Sequence, residues 1–308
     1  MEKLYSVNPE AKAQLEASGV APVMLYAFEG FIDAGIAAGL AIGDLVGRED
    51  TANLVSFNTD ELLDYRSRRP PMTFASGGWS DYHHPALGID LVHDAAGSPF
   101  LLMYGPEPDT RWQAFTDAVV EVAEAFDVRL AVGMHGLPSA APHTREWKVT
   151  GPKQSVDLIT RVAGSPEAKI QLPGSVMALT ELKLRQAGRE AQTFTVHVPH
   201  YLAKMPSPIG TARLLRAIGA ASGLDFDLAG IAEAAEVQSQ QLAKQVAEQP
   251  ELAAAIAKME EAHDSDSAGL AAGELTAEAL PSGEELAAQF EAFLASQIED
   301  QNGPPFTE

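Results

Sequence analysis

Up to residue 228 the chain alternates short apolar runs with stretches of helical spacing, and beyond that point only the helical spacing remains. Residues 23–28 form a compact apolar run ending in Glu29-Gly30. Residues 34–46 follow with small and apolar side chains at helical spacing, which predicts a buried helix. A second run, residues 53–57, ends in Asn58-Thr59-Asp60, with a short helix expected over 61–65. Residues 89–93 and 100–104 flank Asp94-Ala95-Ala96-Gly97-Ser98-Pro99, the pattern of a hairpin or of neighbouring strands. Asp109 is placed to cap a helix carrying Trp112, Phe115, Val119, Val122 and Phe126. Residues 128–134 read as a strand, followed by a long loop to about Glu146. Residues 175–186 read as a helix stopped at Gly188, 193–198 as a strand, and 208–221 as a helix ending near Gly223. Strands alternating with helices predict an α/β fold, a mostly parallel sheet with helices on both faces.

The remainder has another character. Leu228, Ile231, Ala235, Leu242 and Val246 keep a three-and-four spacing that Gln238 interrupts, and Pro250 restarts it with Leu252, Ile256 and Met259. A last amphipathic segment carries Leu286, Phe290, Phe293 and Leu294. Between them, residues 263–283 are rich in Ser, Asp, Gly and Ala and are expected to form a flexible linker, and residues 302–308 a frayed end. The expected organisation is an α/β core domain over residues 1–227 and an acidic helical C-terminal region over 228–308.

Charge sharpens that division. The 308 residues hold 43 Asp and Glu against 21 Lys and Arg, a formal net charge of −22. Residues 231–308 contain 16 acidic and two basic side chains, net −14; the first 230 contain 27 and 19, net −8. The densest cationic stretch is Arg66, Arg68 and Arg69, too little for a phosphate-tracking surface, so nucleic acid is not an expected partner. An anionic membrane would repel the chain, and no apolar run approaches a membrane span, so no membrane partner is expected either. The chain has no cysteine, which excludes disulfides, thiolate metal sites and cysteine nucleophiles. It opens without a signal-peptide pattern, and the expected location is the cytoplasm.

In an open parallel sheet, ligands sit beyond the carboxyl ends of the strands. The residues that follow the apolar runs are Asp33, Asp60, Glu107, Asp109, Arg111, His135 and His200, with His143 and Arg145 in the loop after the fifth run. Together they form a candidate polar cluster, either ligand-binding or structural. Asp33 and Asp109 serve equally as helix caps, and Gly30, Gly105 and Gly136 as turn glycines. Arg145 beside His143 suits an anion through its planar fork, or an ion pair with an acid such as Glu107 or Asp109 that stiffens the loop. The aromatic segment Gly77-Gly78-Trp79-Ser80-Asp81-Tyr82-His83-His84-Pro85 suits recognition or a buried turn. His83-His84 and His197-x-x-His200 lack a ligand set for zinc, and no metal or other cofactor is expected. The chain lacks the nucleophile elbow, the P-loop and the dinucleotide fingerprint, so no catalytic residue is nominated.

One succession of motifs resembles a known family. Gly30-Phe31-Ile32-Asp33-Ala34-Gly35 is followed by Tyr104-Gly105-Pro106-Glu107-Pro108-Asp109 with Trp112, then by Pro142-His143-Thr144-Arg145 and Leu172-Pro173-Gly174-Ser175. His197-Val198-Pro199-His200-Tyr201-Leu202 and Gly223-Leu224 complete the series. Over residues 20–262 this resembles the proteasome assembly chaperone 2 family in its actinobacterial branch. The resemblance implies a three-layer α/β/α core with a mostly parallel mixed sheet, like that of phosphorylases and peptidyl hydrolases, plus a C-terminal α-helical appendage. It also implies homo-oligomers, with a trimer as the candidate number, and proteasome subunits as candidate partners. Eukaryotic and archaeal relatives engage proteasome rings through a tail with a hydrophobic residue, Tyr and one terminal residue; this sequence closes on Pro305-Phe306-Thr307-Glu308, without that Tyr.

Two functions compete at this stage. One is a non-catalytic oligomeric assembly or interaction factor, and the other an enzyme or sensor for an anionic or nucleoside-like ligand at the strand ends. An open pocket lined by Asp33, Glu107, Asp109, His143 and Arg145 would favour the second; closed pairing of those residues would remove it.

Overall fold

The computed structural model describes residues 3–47, 50–152 and 172–268. Its frame is an eight-stranded mixed sheet in the order β1-β3-β6-β7-β2-β8-β10-β9. The strands are β1 (Tyr5–Val7), β2 (Val23–Tyr26), β3 (Ala52–Phe57), β6 (Gly88–His93), β7 (Pro99–Tyr104), β8 (Leu130–Ser139), β9 (Val149–Thr150) and β10 (Ala191–Pro199). The centre, β7-β2-β8-β10, is parallel, while β1, β6 and β9 run against it. The two runs flanking Asp94 to Pro99 are indeed neighbours, paired antiparallel with Ile89 opposite Met103.

β2 reads Val-Met-Leu-Tyr without alternation because both of its faces are buried. Val23 and Leu25 point into one core and Met24 and Tyr26 into the other. The first core is closed by α2 (Ala37–Val46), α5 (Pro208–Ser222), α6 (Ala229–Glu248) and α7 (Pro250–Ala268). The second is closed by α1 (Pro9–Ser18), α3 (Trp112–Ala125) and α4 (Val176–Gln186). These are the three layers of an α/β/α sandwich with a helical C-terminal region. Leu242, Leu252, Ile256 and Met259 of α6 and α7 are buried in the same cluster as the sheet residues, so these two helices share the core of the α/β body.

Several expectations need correction. The helix expected over 34–46 begins as a 3-10 turn, Ala34–Ile36, and becomes α-helical only at Ala37. Gly35 donates its N–H to the Ala203 carbonyl and accepts from the Ser207 N–H, both at 2.7 Å, and these tertiary bonds hold the turn out of the helix. Asp109 does not cap α3; its cap position is Arg111, in a left-handed conformation with φ 56° and no side-chain cap. The expected helix at 61–65 is a 3-10 turn, Thr59–Glu61. Strand β8 continues five residues beyond Met134, because His135 to Ser139 pair in parallel register with Thr195 to Pro199. α7 runs through the expected start of the linker at His263, and the rest of that linker, the last amphipathic segment and the tail lie outside the described residues.

The aromatic segment is neither a buried turn nor part of the main sheet. It forms a separate hairpin, β4 (Met72–Ala75) and β5 (Gly78–Tyr82), in which every residue except Gly78 is exposed at the described positions. Phe74 and Trp79 are 61% and 68% exposed and meet edge to face with ring centroids 5.2 Å apart. At its base His83 donates its N–H to the Pro71 carbonyl, and the His84 ring sits 2.8 Å from the Thr59 hydroxyl.

Candidate functional site

The candidate residues fall into three separate groups. The first lies at the ends of β2 and β8. Asp33 turns both carboxylate oxygens onto backbone amides, accepting from Ala38 at 3.1 Å, Gly39 at 3.0 Å and Gly136 at 2.8 Å. A carboxylate there satisfies the free N–H groups of the first turn of α2 and ties them to β8. Gly136 is required by the close approach, since a Cβ would fall 2.1 Å from the Ala34 carbonyl oxygen. Glu107 does for α4 what Asp33 does for α2: 8% exposed, it accepts the Val176 N–H at 2.7 Å, beside the Ser175 cap. His135 shares a 2.8 Å bond with the Thr195 hydroxyl and reaches the Ile32 carbonyl at 3.3 Å. Burial lowers its pKa, opposed by the Ile32 carbonyl. The cavity that Asp33, Glu107 and His135 share holds about 20 Å³, room for about one water and far below the several hundred Å³ of a small-molecule site.

The second group is a surface network on the segment after β3. Asp109 accepts the Asp64 N–H at 2.9 Å and pairs with Arg68 at 3.2 Å. Arg68 lies over Gly30, whose backbone φ of 109° and missing Cβ make room for the guanidinium. Arg111 pairs with Glu61, and Asp60 accepts the Tyr65 hydroxyl at 2.6 Å.

The third group joins the loop after β8 to the C-terminal helices. Tyr201, 1% exposed, receives the backbone N–H of His143 at 2.7 Å and shares a second 2.7 Å bond with its Nδ1. Burial pulls the His143 pKa down to about 4, against a smaller upward pull from Glu260, so the ring is neutral at pH 7. His200 stacks edge to face on the same tyrosine and reaches the Ser139 carbonyl at 3.2 Å. Arg145 forks onto Asp264 at 2.8 and 2.6 Å and reaches Glu260 at 2.9 Å. Its acids are therefore on α7, one helical turn apart, rather than Glu107 or Asp109.

The sequence marks Gln238 only as an interruption of an apolar stripe and does not give its role. It accepts from the Ile209 N–H at 3.3 Å and donates to the Pro206 carbonyl at 3.0 Å, fastening α6 to the start of α5. A polar residue interrupting an apolar stripe was the only signal. Among the described residues no group of three His, Asp or Glu side chains could hold a metal ion, and no helix is long and apolar enough to cross a membrane.

The class the fold defines is an α/β/α sandwich protein whose candidate polar residues bond to helix ends, ion partners and neighbouring rings. The sequence matches the PAC2 family over residues 27–246, and the chain belongs to that family. It is similar to Mycobacterium tuberculosis Rv2714, a protein of unknown function: 36% identity over 96% of this chain and 97% of that one, TM-score 0.76. A Corynebacterium glutamicum protein of unknown function shares 33% identity over 86% of this chain and 98% of its own, TM-score 0.76. The M. tuberculosis proteasome-assembly chaperone homologue Rv2125 shares 30% identity over 75% of this chain and 98% of its own, TM-score 0.65. No curated protein matches the sequence.

Proposed function

We propose that this protein is a non-catalytic assembly or interaction factor that first binds copies of itself, and that the β4–β5 hairpin is its contact surface. The observation that carries the reading is the exposure of Met72, Phe74, Trp79 and Tyr82 on one projecting hairpin. A two-stranded hairpin alone in water is marginally stable, and a cluster of large exposed apolar side chains marks an interaction site. Closed pairing of Asp33, Glu107, Asp109, His143 and Arg145 speaks against the ligand-binding alternative.

A second copy suits the hairpin because the same molecule exposes further apolar side chains, Phe31, Ile32 and Ile36, on the loop that Arg68 packs against just before the hairpin begins. Like net charge of −22 opposes self-association, so contact through apolar residues strengthens as salt screens the repulsion. Membership in a family that includes a proteasome-assembly chaperone homologue supports a protein, rather than a metabolite, as any further partner.

Sedimentation velocity on the wild-type chain and on the Phe74→Asp/Trp79→Asp variant tests the reading. Oligomers in the wild type and monomers in the variant, with unchanged circular dichroism, support it. A wild-type monomer at every concentration and salt, or an oligomer untouched by the variant, overturns it.

A further inference from the structure

Strand β6 carries an aspartate where its neighbours carry core side chains. Ile89 and Leu91 enter the second core, so alternation turns Asp90 to the other face of the sheet, the face that Val92 also takes. There Asp90 is 6% exposed. The Asn53 side-chain amide donates to its Oδ1 at 2.9 Å and the Tyr104 hydroxyl to its Oδ2 at 2.7 Å. Asn53 is itself aimed by Ser56, whose hydroxyl donates to the Asn53 amide oxygen at 2.7 Å. Residues three apart on a regular strand face opposite ways; the bulge between Asn53 and Val55 lets both turn to the Asp90 side.

These groups border a cavity of about 230 Å³ between β3, β6, β7 and the segment that leaves the hairpin at His84. Its walls hold one acid, Asp90, and no lysine or arginine. Among the described residues Asp90 makes no ion pair. A carboxylate offers about four acceptor positions, and its two protein donors, both neutral, fill two of them. A charge withdrawn from water is costly unless it is paired. The remaining positions therefore call for a donor that brings positive charge. One carboxylate suits an ammonium better than a metal ion, since among the described residues no group of three His, Asp or Glu could hold a metal. The volume equals that of about eight waters and lies below the roughly 300 Å³ at which drug-sized sites begin. Phe57 and Leu87 supply apolar wall, and the Thr59 hydroxyl, 2.8 Å from the His84 ring, a second polar point.

We propose that this cavity is a binding site for a small organic ammonium, a primary amine on a short carbon body, whose charged head sits on Asp90. The three N–H groups of such a head match Asp90 Oδ1, Asp90 Oδ2 and the Ser56 hydroxyl oxygen, whose own hydrogen is already given to Asn53. The carbon body lies against Phe57 and Leu87. The ligand is opposite in sign to the anion expected at the strand ends, and the cavity shares no wall with Asp33, His143 or Arg145. The site does not depend on the hairpin as a self-contact.

Ligand-detected NMR titration of the full chain tests the proposal at about 0.15 M salt, which screens the general attraction of a chain of net charge −22 for cations. The probe n-butylammonium chloride is expected to bind saturably with a Kd on the order of 1 mM, and neutral 1-butanol at least about tenfold more weakly. Asp90→Asn keeps the shape of the side chain and removes its charge, and is expected to weaken the amine about tenfold or more. Ala86 is an exposed wall residue that takes no part in the Asp90 bonds. Ala86→Phe is therefore expected to block the amine by bulk with unchanged circular dichroism, and it carries the test should Asp90→Asn fail to fold. Equal affinity for amine and alcohol overturns the proposal, as does binding that survives in either folded variant. Absence of saturation at concentrations on the order of tens of millimolar overturns it as well.

Discussion

Arg145 grips Asp264 with two parallel hydrogen bonds, Nε to Oδ1 at 2.8 Å and Nη2 to Oδ2 at 2.6 Å. The pair joins the loop after β8 to α7 across 119 positions of sequence. Glu260, one turn earlier, takes the third guanidinium bond and also accepts the Thr144 hydroxyl. Arg145→Met therefore loosens α7 first. Hydrogen exchange is expected to show faster exchange of α7 amides with β2 and β8 unchanged, and Arg145→Lys to restore only part of the protection because it loses the fork. Unchanged α7 exchange in Arg145→Met contradicts the clamp.

His143 makes stability fall in mild acid. Burial holds its folded pKa at about 4 against an ordinary 6.5, so between those values the unfolded chain binds more protons than the folded one. This contribution to stability is fully present above about pH 6.5 and is lost as pH falls towards about 4. His135 and His197 are lowered by burial and act in the same direction. Urea unfolding from pH 7.5 to about 4 is expected to show declining stability, with a shallower slope in His143→Phe.

Tyr201→Phe leaves the backbone N–H and the ring Nδ1 of His143 without their shared partner. The expected cost is about 1–3 kcal/mol, the range for orphaning buried polar groups. Thermal unfolding of the variant at pH 7 checks it; a Tm equal to that of the wild type contradicts the assignment.

Gly136→Ala places a Cβ 2.1 Å from a backbone oxygen that cannot move without breaking the turn at Ala34. Destabilisation of about 1–3 kcal/mol or more is expected, as for other overpacked cores. Gly43→Ala, where a Cβ meets nothing within 4 Å, is the control and is expected to hold or raise the stability of α2. Chemical denaturation of the two variants side by side checks the contrast.

The sandwich was legible because buried parallel strands write near-continuous apolar runs and the helices carry strong stops, such as Ser175 and Gly188 around α4 or Ser207 and Gly223 around α5. α1 went unread although Asn8, Pro9 and Gly19 mark both its ends, because only Ala11 and Leu15 face the core and the stripe is too thin to register. β1 and β9 are edge strands of three and two residues, below the length at which periodicity speaks. The break at Ile36 was invisible because its cause, the bonds from Gly35 to Ala203 and Ser207, lies far away in the chain. The same holds for the polar residues. Sequence placed Asp33, Glu107 and His135 at the strand ends but said nothing of their partners, the Gly136 and Val176 amides and the Thr195 hydroxyl, which belong to elements distant in the chain. The hairpin's aromatic content was visible, whereas its exposure depends on what fails to pack against it.

The most direct test of the central claim follows Trp79 itself. The difference in fluorescence between the wild type and Trp79→Phe isolates its emission from that of Trp112 and Trp147. Across a dilution series the account predicts blue-shifted Trp79 emission in the assembled protein. That emission should shift to the red at the same concentration at which light scattering reports dissociation. Red-shifted Trp79 emission in a protein that light scattering shows to be assembled would contradict the hairpin as the contact.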